Sequence, residues 1–142
     1  MTENPKKSLR AIEVRFEVPI AAPRERVWKA FTHDLAAWWP RTFFVSPNAK
    51  TFALETRVGG RLYEDWGDGQ GVLWATVVTL STGELLQTSG DLFAEYGGPA
   101  RVLTTFRFEV KGDTTILRFH LSVSGMVAEA RSARSWRRGG AT

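Results

Sequence analysis

The sequence predicts an α+β fold: an antiparallel sheet of six to seven strands with two short N-terminal helices and a C-terminal helix (β-α-α-β6-α). Alternating apolar and polar residues fill most of the chain, as in half-buried strands. Short turns rich in Gly, Asp and Ser separate these runs, which favours antiparallel hairpins over βαβ units. Helical spacing of apolar residues occurs only before the second strand and at the C-terminal end.

The first strand is predicted over residues 12–20, where Ile, Val and Phe alternate with Glu and Arg. The pattern changes at Pro23, which suits the start of a helix, and apolar residues then recur at helical spacing through about His33. A second short helix is predicted over 34–39, because Pro40 cannot continue it.

Six more strands follow a loop rich in Pro and Asn. They are predicted at 52–58, 61–66, 71–80, 84–89, 101–110 and 114–124. A final helix is predicted over 126–138, on a narrow apolar stripe that ends with Trp136 and before two glycines.

A chain of 142 residues has the usual length of one domain with its own core. We expect a single domain over 1–142 with flexible ends at 1–10 and 139–142. The absence of cysteine excludes disulfides and thiolate metal ligands. No apolar stretch is long enough to span a membrane, and no secretory signal is evident, so we expect a cytoplasmic location.

The charge distribution argues against nucleic-acid binding, although the net charge is +4 and the sequence pI about 9.9. Residues 1–10 carry a net charge of +2, residues 126–142 carry +3, and the body between them carries −1. A nucleic-acid-binding domain usually concentrates basic residues on one face of its body. We therefore expect no nucleic-acid partner.

Several motifs together resemble the START-like (SRPBCC) superfamily. They are Ala21-Ala22-Pro23, Val27-Trp28, Trp38-Trp39-Pro40, Gly59-Gly60-Arg61, Tyr63-Glu64, Gly71, Trp74, and Gly112-Asp113-Thr114-Thr115 leading to His120. Within that superfamily, the chain is most similar to the branch named after the activator of a heat-shock-protein ATPase. The resemblance covers about residues 12–125. It implies a helix-grip fold in which a curved sheet and a long C-terminal helix enclose an apolar cavity for lipids, polyketides or other hydrophobic molecules.

The aromatic residues supply candidate ligand contacts, because small-molecule sites are lined mostly by apolar and aromatic groups. If the apolar strand faces look inward, the candidates share the concave side of the sheet, with two tryptophans at its mouth. The predicted ligand-binding residues are Trp38, Trp39, Leu54, Glu64, Trp66, Trp74, Phe106, Phe108, Phe119 and Met126. The alternative is that these side chains only fill the core.

Glu64 is the most informative charged residue. Strand alternation places it on the same face as Leu62 and Trp66, where a carboxylate must be paired, hydrated or protonated. It could orient a polar group of a ligand or act as a general base. The alternative is a bulge at Gly59-Gly60 that turns it to water, or an ion pair with an arginine.

Other signals favour ordinary structural roles. Alternation places His120 on the outer face beside Arg118, and two histidines without cysteine make a metal centre improbable. The glycines of 67–71 resemble a phosphate loop, but a strand follows them, so a hairpin is predicted. We expect no metal and no cofactor.

Three functions remain open at this point. The first is a binding protein for a hydrophobic or aromatic molecule, without catalysis. The second is a polyketide cyclase or dehydratase that uses Glu64 as its base. The third is a chaperone-associated stress-response module, which rests on the family name alone. The short final helix predicts a weakly held lid anchored by Trp136, which favours a homodimer.

Overall fold

The computed structural model describes residues 6–38 and 44–128. Its elements are β1 (Lys7–Ile20), α1 (Arg24–Thr32), α2 (Leu35–Trp38), β2 (Thr51–Leu54), β3 (Arg61–Gly67), β4 (Gln70–Ser81), β5 (Leu85–Leu92), a 3₁₀ turn (Ala94–Tyr96), β6 (Ala100–Lys111) and β7 (Thr114–Ala128). The strands form one antiparallel sheet in the order β1-β7-β6-β5-β4-β3-β2. The predicted α+β class and antiparallel sheet are confirmed.

Short connections explain why consecutive strands from β2 to β7 are neighbours. Between β3 and β4, Gly67, Asp68 and Gly69 all have positive φ angles, of 96°, 56° and 76°. Glycine adopts such angles without steric cost, and aspartate tolerates them better than most residues. The predicted hairpin at this point is confirmed, and the phosphate-loop alternative is excluded.

Helix α1 covers one face of the sheet, called here the inner face; the opposite face is the outer face. Val27 and Trp28 of α1 are buried and pack in one core cluster with Val77, Leu86 and Phe108. Leu86 lies across the register from Phe106, two positions from Phe108 on β6. The core therefore lies between α1 and strands β4, β5 and β6.

Four strand boundaries differ from the prediction by three residues or more. β5 ends at residue 92 rather than 89. β1 begins at residue 7 rather than 12, and β2 ends at residue 54 rather than 58. β7 continues through Ala128, so a helix that begins at Met126 is wrong. Residues 126–128 instead pair with residues 7–9 of β1, which extends both strands together. The rest of the predicted final helix, including Trp136, lies outside the described residues.

Candidate functional site on the inner face

A row of four phenylalanine rings crosses the inner face. Phe16 on β1, Phe119 on β7 and Phe106 on β6 lie opposite one another in the strand register. The Phe16 and Phe119 rings are stacked with centroids 4.6 Å apart, and Phe119 meets Phe106 edge-on at 5.2 Å. Phe31 of α1 continues the row, 4.6 Å from Phe106. These distances suit attractive aromatic pairing.

The β1 end of this phenylalanine row is open. Phe16 is 48% exposed, and its neighbours Val14 and Val18 are also exposed. Phe106 and Phe119, further along the row, are half-buried. An apolar strip on β1 is thus accessible at one side of the sheet.

Two of the predicted ligand-binding residues, Phe108 and Leu54, pack in or against the core cluster and are not part of the phenylalanine row. Phe108 is only 2% exposed, and its ring meets Trp28 edge-on with centroids 5.1 Å apart. Leu54 is partly buried and packs against the same cluster. The position of Phe108 fits the alternative given above, in which the aromatic side chain fills the core.

Glu64 is fully buried, at 0% exposed, on the inner face of β3. Its Oε1 accepts the backbone N–H of Val45 at 2.6 Å, and its Oε2 accepts the backbone N–H of Ser46 at 2.9 Å. The indole Nε1–H of Trp66 also donates to Oε2, at 2.6 Å. These donors compensate a carboxylate removed from water. The alternative that Glu64 turns to water is wrong, and its described partners are N–H groups rather than an arginine.

The contacts of Glu64 fasten the loop that precedes β2 onto the inner face. The same loop is held by the N–H of Lys50, which donates to the carbonyl of Asp65 at 2.7 Å. The Phe44 ring lies against Phe52, with centroids 5.8 Å apart. The carboxylate therefore anchors a loop, and both of its oxygens are engaged.

Trp66 and Trp74 lie at the β3–β4 end of the sheet. Trp66 is 38% exposed and reaches back to Glu64, two residues before it. The β3–β4 register shifts between Leu62 and Tyr63, and Trp74 is the extra residue on β4. Its ring meets Phe52 at 6.0 Å. A bulge thus lies at Trp74, and it does not turn Glu64 to water as the alternative bulge at Gly59-Gly60 would have done.

The remaining predicted ligand contacts are only partly described. Trp38 ends helix α2, and Trp39 lies outside the described residues. Met126 lies on β7 opposite Leu9 and is 39% exposed. It is seven positions from Phe119, so strand alternation places it on the outer face.

The outer face carries a surface groove of about 600 Å³ that is lined mainly by polar and charged side chains. Arg118 stands beside His120 there, as predicted, and donates to Glu109 at 2.8 Å and to Glu17. The hydrogen bond to Glu109, with the charges of Glu109 and Glu17, raises the pKa of Arg118 above its ordinary value. Within 6–38 and 44–128, no cluster of His, Asp or Glu side chains could hold a metal.

Sequence reasoning did not select Phe16 or Phe31 as site residues. The alternation of β1 already placed Phe16 among inward residues, but its stacking on Phe119 depends on the β1–β7 register. That register brings together residues more than 100 positions apart. The partners of Glu64 were also missed, because two of them are backbone N–H groups that no side-chain pattern reveals.

The comparisons with known proteins agree with this architecture. A crystal structure of a Rhizobium loti protein aligns with a TM-score of 0.65 at 20% identity, over 94% of this chain and 92% of that one. A Rhizobium leguminosarum protein aligns with a TM-score of 0.63 at 21% identity, over 92% and 88%. Norcoclaurine synthase from Thalictrum flavum, solved with dopamine and hydroxybenzaldehyde, aligns with a TM-score of 0.53 at 15% identity, over 84% and 72%.

These likenesses show the fold, which agrees with the predicted helix-grip α+β class. No curated protein matches the sequence. In the described part of the chain, no helix is long and apolar enough to cross a membrane. The family model described as activator of Hsp90 ATPase homolog 1-like protein matches residues 21–141. The chain therefore belongs to the activator of Hsp90 ATPase homolog 1-like family.

Proposed function

We propose that the protein binds a small hydrophobic or aromatic molecule against the phenylalanine row of the inner face. The observation that carries the proposal is the continuous series of ring contacts from Phe16 to Phe31, with its β1 end exposed. A row of rings that is exposed at one end offers flat apolar surface to a ligand. Norcoclaurine synthase, which has the same fold, was solved with two aromatic molecules, and this supports an aromatic ligand.

The residues next to the phenylalanine row favour a ligand that is uncharged where it contacts the sheet. Val14 lies opposite Leu121, and Val18 lies opposite Leu117, on either side of the Phe16–Phe119 pair. A charged ligand group placed among them would lose its hydration without gaining a partner. We therefore expect a flavonoid-like or polyketide-like ring system, or a lipid chain.

The test is a titration with a flavonoid and a fatty acid, measured by heat or by tryptophan emission. Phe16→Ala should weaken binding about fivefold to tenfold, the worth of one aromatic pair. Phe93→Ala is the matched control, because Phe93 is 67% exposed and lies outside the row. No binding of either compound class, or an equal loss in both variants, would overturn the proposal.

The geometry favours binding without catalysis by Glu64. A general base needs an oxygen within hydrogen-bond reach of the proton it removes. Both Glu64 oxygens already accept N–H groups of the chain, and the side chain is fully buried. The cyclase or dehydratase alternative therefore lacks its predicted base, and the chaperone-associated alternative still rests on the family name.

We also propose that the protein is cytoplasmic and that it forms a homodimer. The exposed apolar residues of β1 support the homodimer, because accessible apolar strips favour association. Light scattering on the native protein tests it directly. A monomer at high micromolar concentration would exclude it.

A further inference from the structure

Strand β1 is an edge of the sheet, and it is long. It spans 14 residues, whereas β2 at the opposite edge spans four. Among the described strands, only β7 pairs with β1, so one side of its backbone has no strand beside it. A long exposed edge offers a row of N–H and C=O groups to another strand.

The side chains of β1 match a second copy of the same strand. On the outer face, Glu13, Arg15 and Glu17 alternate in charge; on the inner face, the residues between them, Val14 and Phe16, are apolar and exposed. In an antiparallel pair centred on Val14, Glu13 faces Arg15 of the second copy and Arg15 faces its Glu13. Opposite charges placed directly across a sheet stabilise it.

Other registers fit less well. Centring the pair on Arg15 sets Arg15 against Arg15 and Glu13 against Glu17, and like charges directly opposite are destabilising. Centring it on Phe16 also pairs Arg15 with Glu17, but Arg118 already engages Glu17, and the overlap shrinks to residues 12–20. A slip of one residue places charged side chains against apolar ones. The register centred on Val14 overlaps residues 8–20 of both copies, nearly the whole strand.

We propose that β1 pairs with β1 of a second copy of this chain, antiparallel and centred on Val14, to form one continuous sheet across a two-fold axis. The proposal specifies which surface the proposed homodimer uses. It therefore rests on the homodimer, but it does not depend on the proposed ligand. A two-fold contact uses the same edge of both copies, so the assembly closes as a dimer. The contacts of Glu13 within its own chain do not compete strongly. Arg15 lies 3.5 Å away and His120 Nε2 lies 3.4 Å away, and the Glu13 and Arg15 side chains are 53% and 70% exposed.

Cysteine cross-linking tests the register. The chain has no cysteine, so Val14→Cys introduces a single thiol. On a two-fold axis, the Cα atoms of the two copies would lie about 4.5–5.5 Å apart, within disulfide range. We expect rapid covalent dimer formation by Val14→Cys on mild oxidation. Leu103→Cys is the control, since Leu103 is 49% exposed but lies on β6, two strands away from the β1 edge. Preferential cross-linking of Phe16→Cys would overturn the Val14 register.

Charge exchange tests the contact itself. Arg15→Glu places like charges across both symmetric pairs and should weaken the dimer about tenfold or more by light scattering. The double variant Glu13→Arg/Arg15→Glu restores opposite charges and should recover the dimer. Lys111→Glu makes the same charge change on β6 and should leave the dimer intact.

The outcomes separate this interface from the homodimer in general. A wild-type protein that stays monomeric at high micromolar concentration overturns both proposals. A dimer that persists in Arg15→Glu, or a double variant that stays monomeric, overturns the β1 interface. A dimer that persists without cross-linking at Val14 overturns the β1 interface centred on Val14, but it is still consistent with a homodimer through another surface.

Discussion

The two edges of the sheet are built differently, although both carry phenylalanine on the inner face. At the β2 edge, Phe52 is 1% exposed beneath a loop held by Glu64. At the β1 edge, Phe16 is 48% exposed, and no described loop covers it. The β2 edge is a closed part of the core, and the β1 edge is available to a ligand or another chain.

The difference shows what closes a sheet edge in this fold. A four-residue strand contributes little by itself, so β2 depends on neighbouring groups. The loop before it is held by a buried carboxylate, and the loop after it by Glu55. By contrast, β1 pairs with β7 along its whole length. The exposed apolar side chains of β1 remain available to other partners.

The largest effect is expected at the closed edge, from Phe52→Ala. Removal of a fully buried ring leaves a cavity and should lower the free energy of unfolding by about 3–5 kcal/mol. Urea denaturation measures it, with Phe93→Ala as the exposed control. A loss below about 1 kcal/mol would show that this edge is not packed as described.

The second effect is expected from Glu64→Gln. The amide keeps the shape of the side chain but turns an NH₂ group toward at least one N–H donor, so a buried hydrogen bond is lost. The free energy of unfolding should fall by about 1–3 kcal/mol. Chemical denaturation checks this, with Glu95→Gln, an exposed position, as the control. Equal stability of the wild type and Glu64→Gln would contradict the anchoring role.

The fold was predictable because its signals are local. Alternation marked the strands, and the glycines of the β3–β4 turn marked a hairpin through their tolerance of positive φ. The start of α1 at Pro23 was also correct, since Pro23 is its N-cap. The ends of β1 and β7 were missed because residues 7–9 and 126–128 are strands only through pairing with each other.

The site was less predictable because its geometry is not local. Alternation correctly put Glu64 on the inner face, but its N–H donors come from a loop about 18 residues earlier. Trp74 reaches Phe52 through a bulge that strict alternation cannot anticipate. Phe108 satisfied the same pattern as Phe106, but Phe108 packs against Trp28 of α1 and is buried, whereas Phe106 is half-buried.

A smaller effect is expected at the open edge, from Phe16→Ala. The ring is half-exposed and stacks on Phe119, so its removal should cost about 1 kcal/mol of unfolding free energy. The matched comparison is Phe52→Ala, the same substitution at the closed edge. A loss as large as that of Phe52→Ala would mean that the β1 edge is covered in solution.

The smallest effect concerns Glu55, in the loop that follows β2. Its Oε1 accepts the Arg61 backbone N–H at 2.9 Å and the Arg61 Nε–H at 2.7 Å. These contacts, led by the side-chain hydrogen bond from Arg61, lower the pKa of Glu55 from 4.5 to about 2. A lowered folded-state pKa means that the unfolded chain binds the proton more readily. Its stabilising contribution is therefore present above pH 4.5 and is lost as the pH falls toward 2.

Glu55→Gln should accordingly lose the part of the acid dependence that lies between these pH values. The measurement is the difference in unfolding free energy between wild type and Glu55→Gln, followed by urea denaturation from neutral pH downward. That difference should be constant near neutrality and shrink below about pH 4.5. High salt should reduce it, because the pair is accessible to solvent. Glu95→Gln supplies the control for a carboxylate without these contacts. A difference that stays flat to pH 2 would show that Arg61 does not hold Glu55 in solution, and that the closed edge depends on the buried anchor of Glu64 alone.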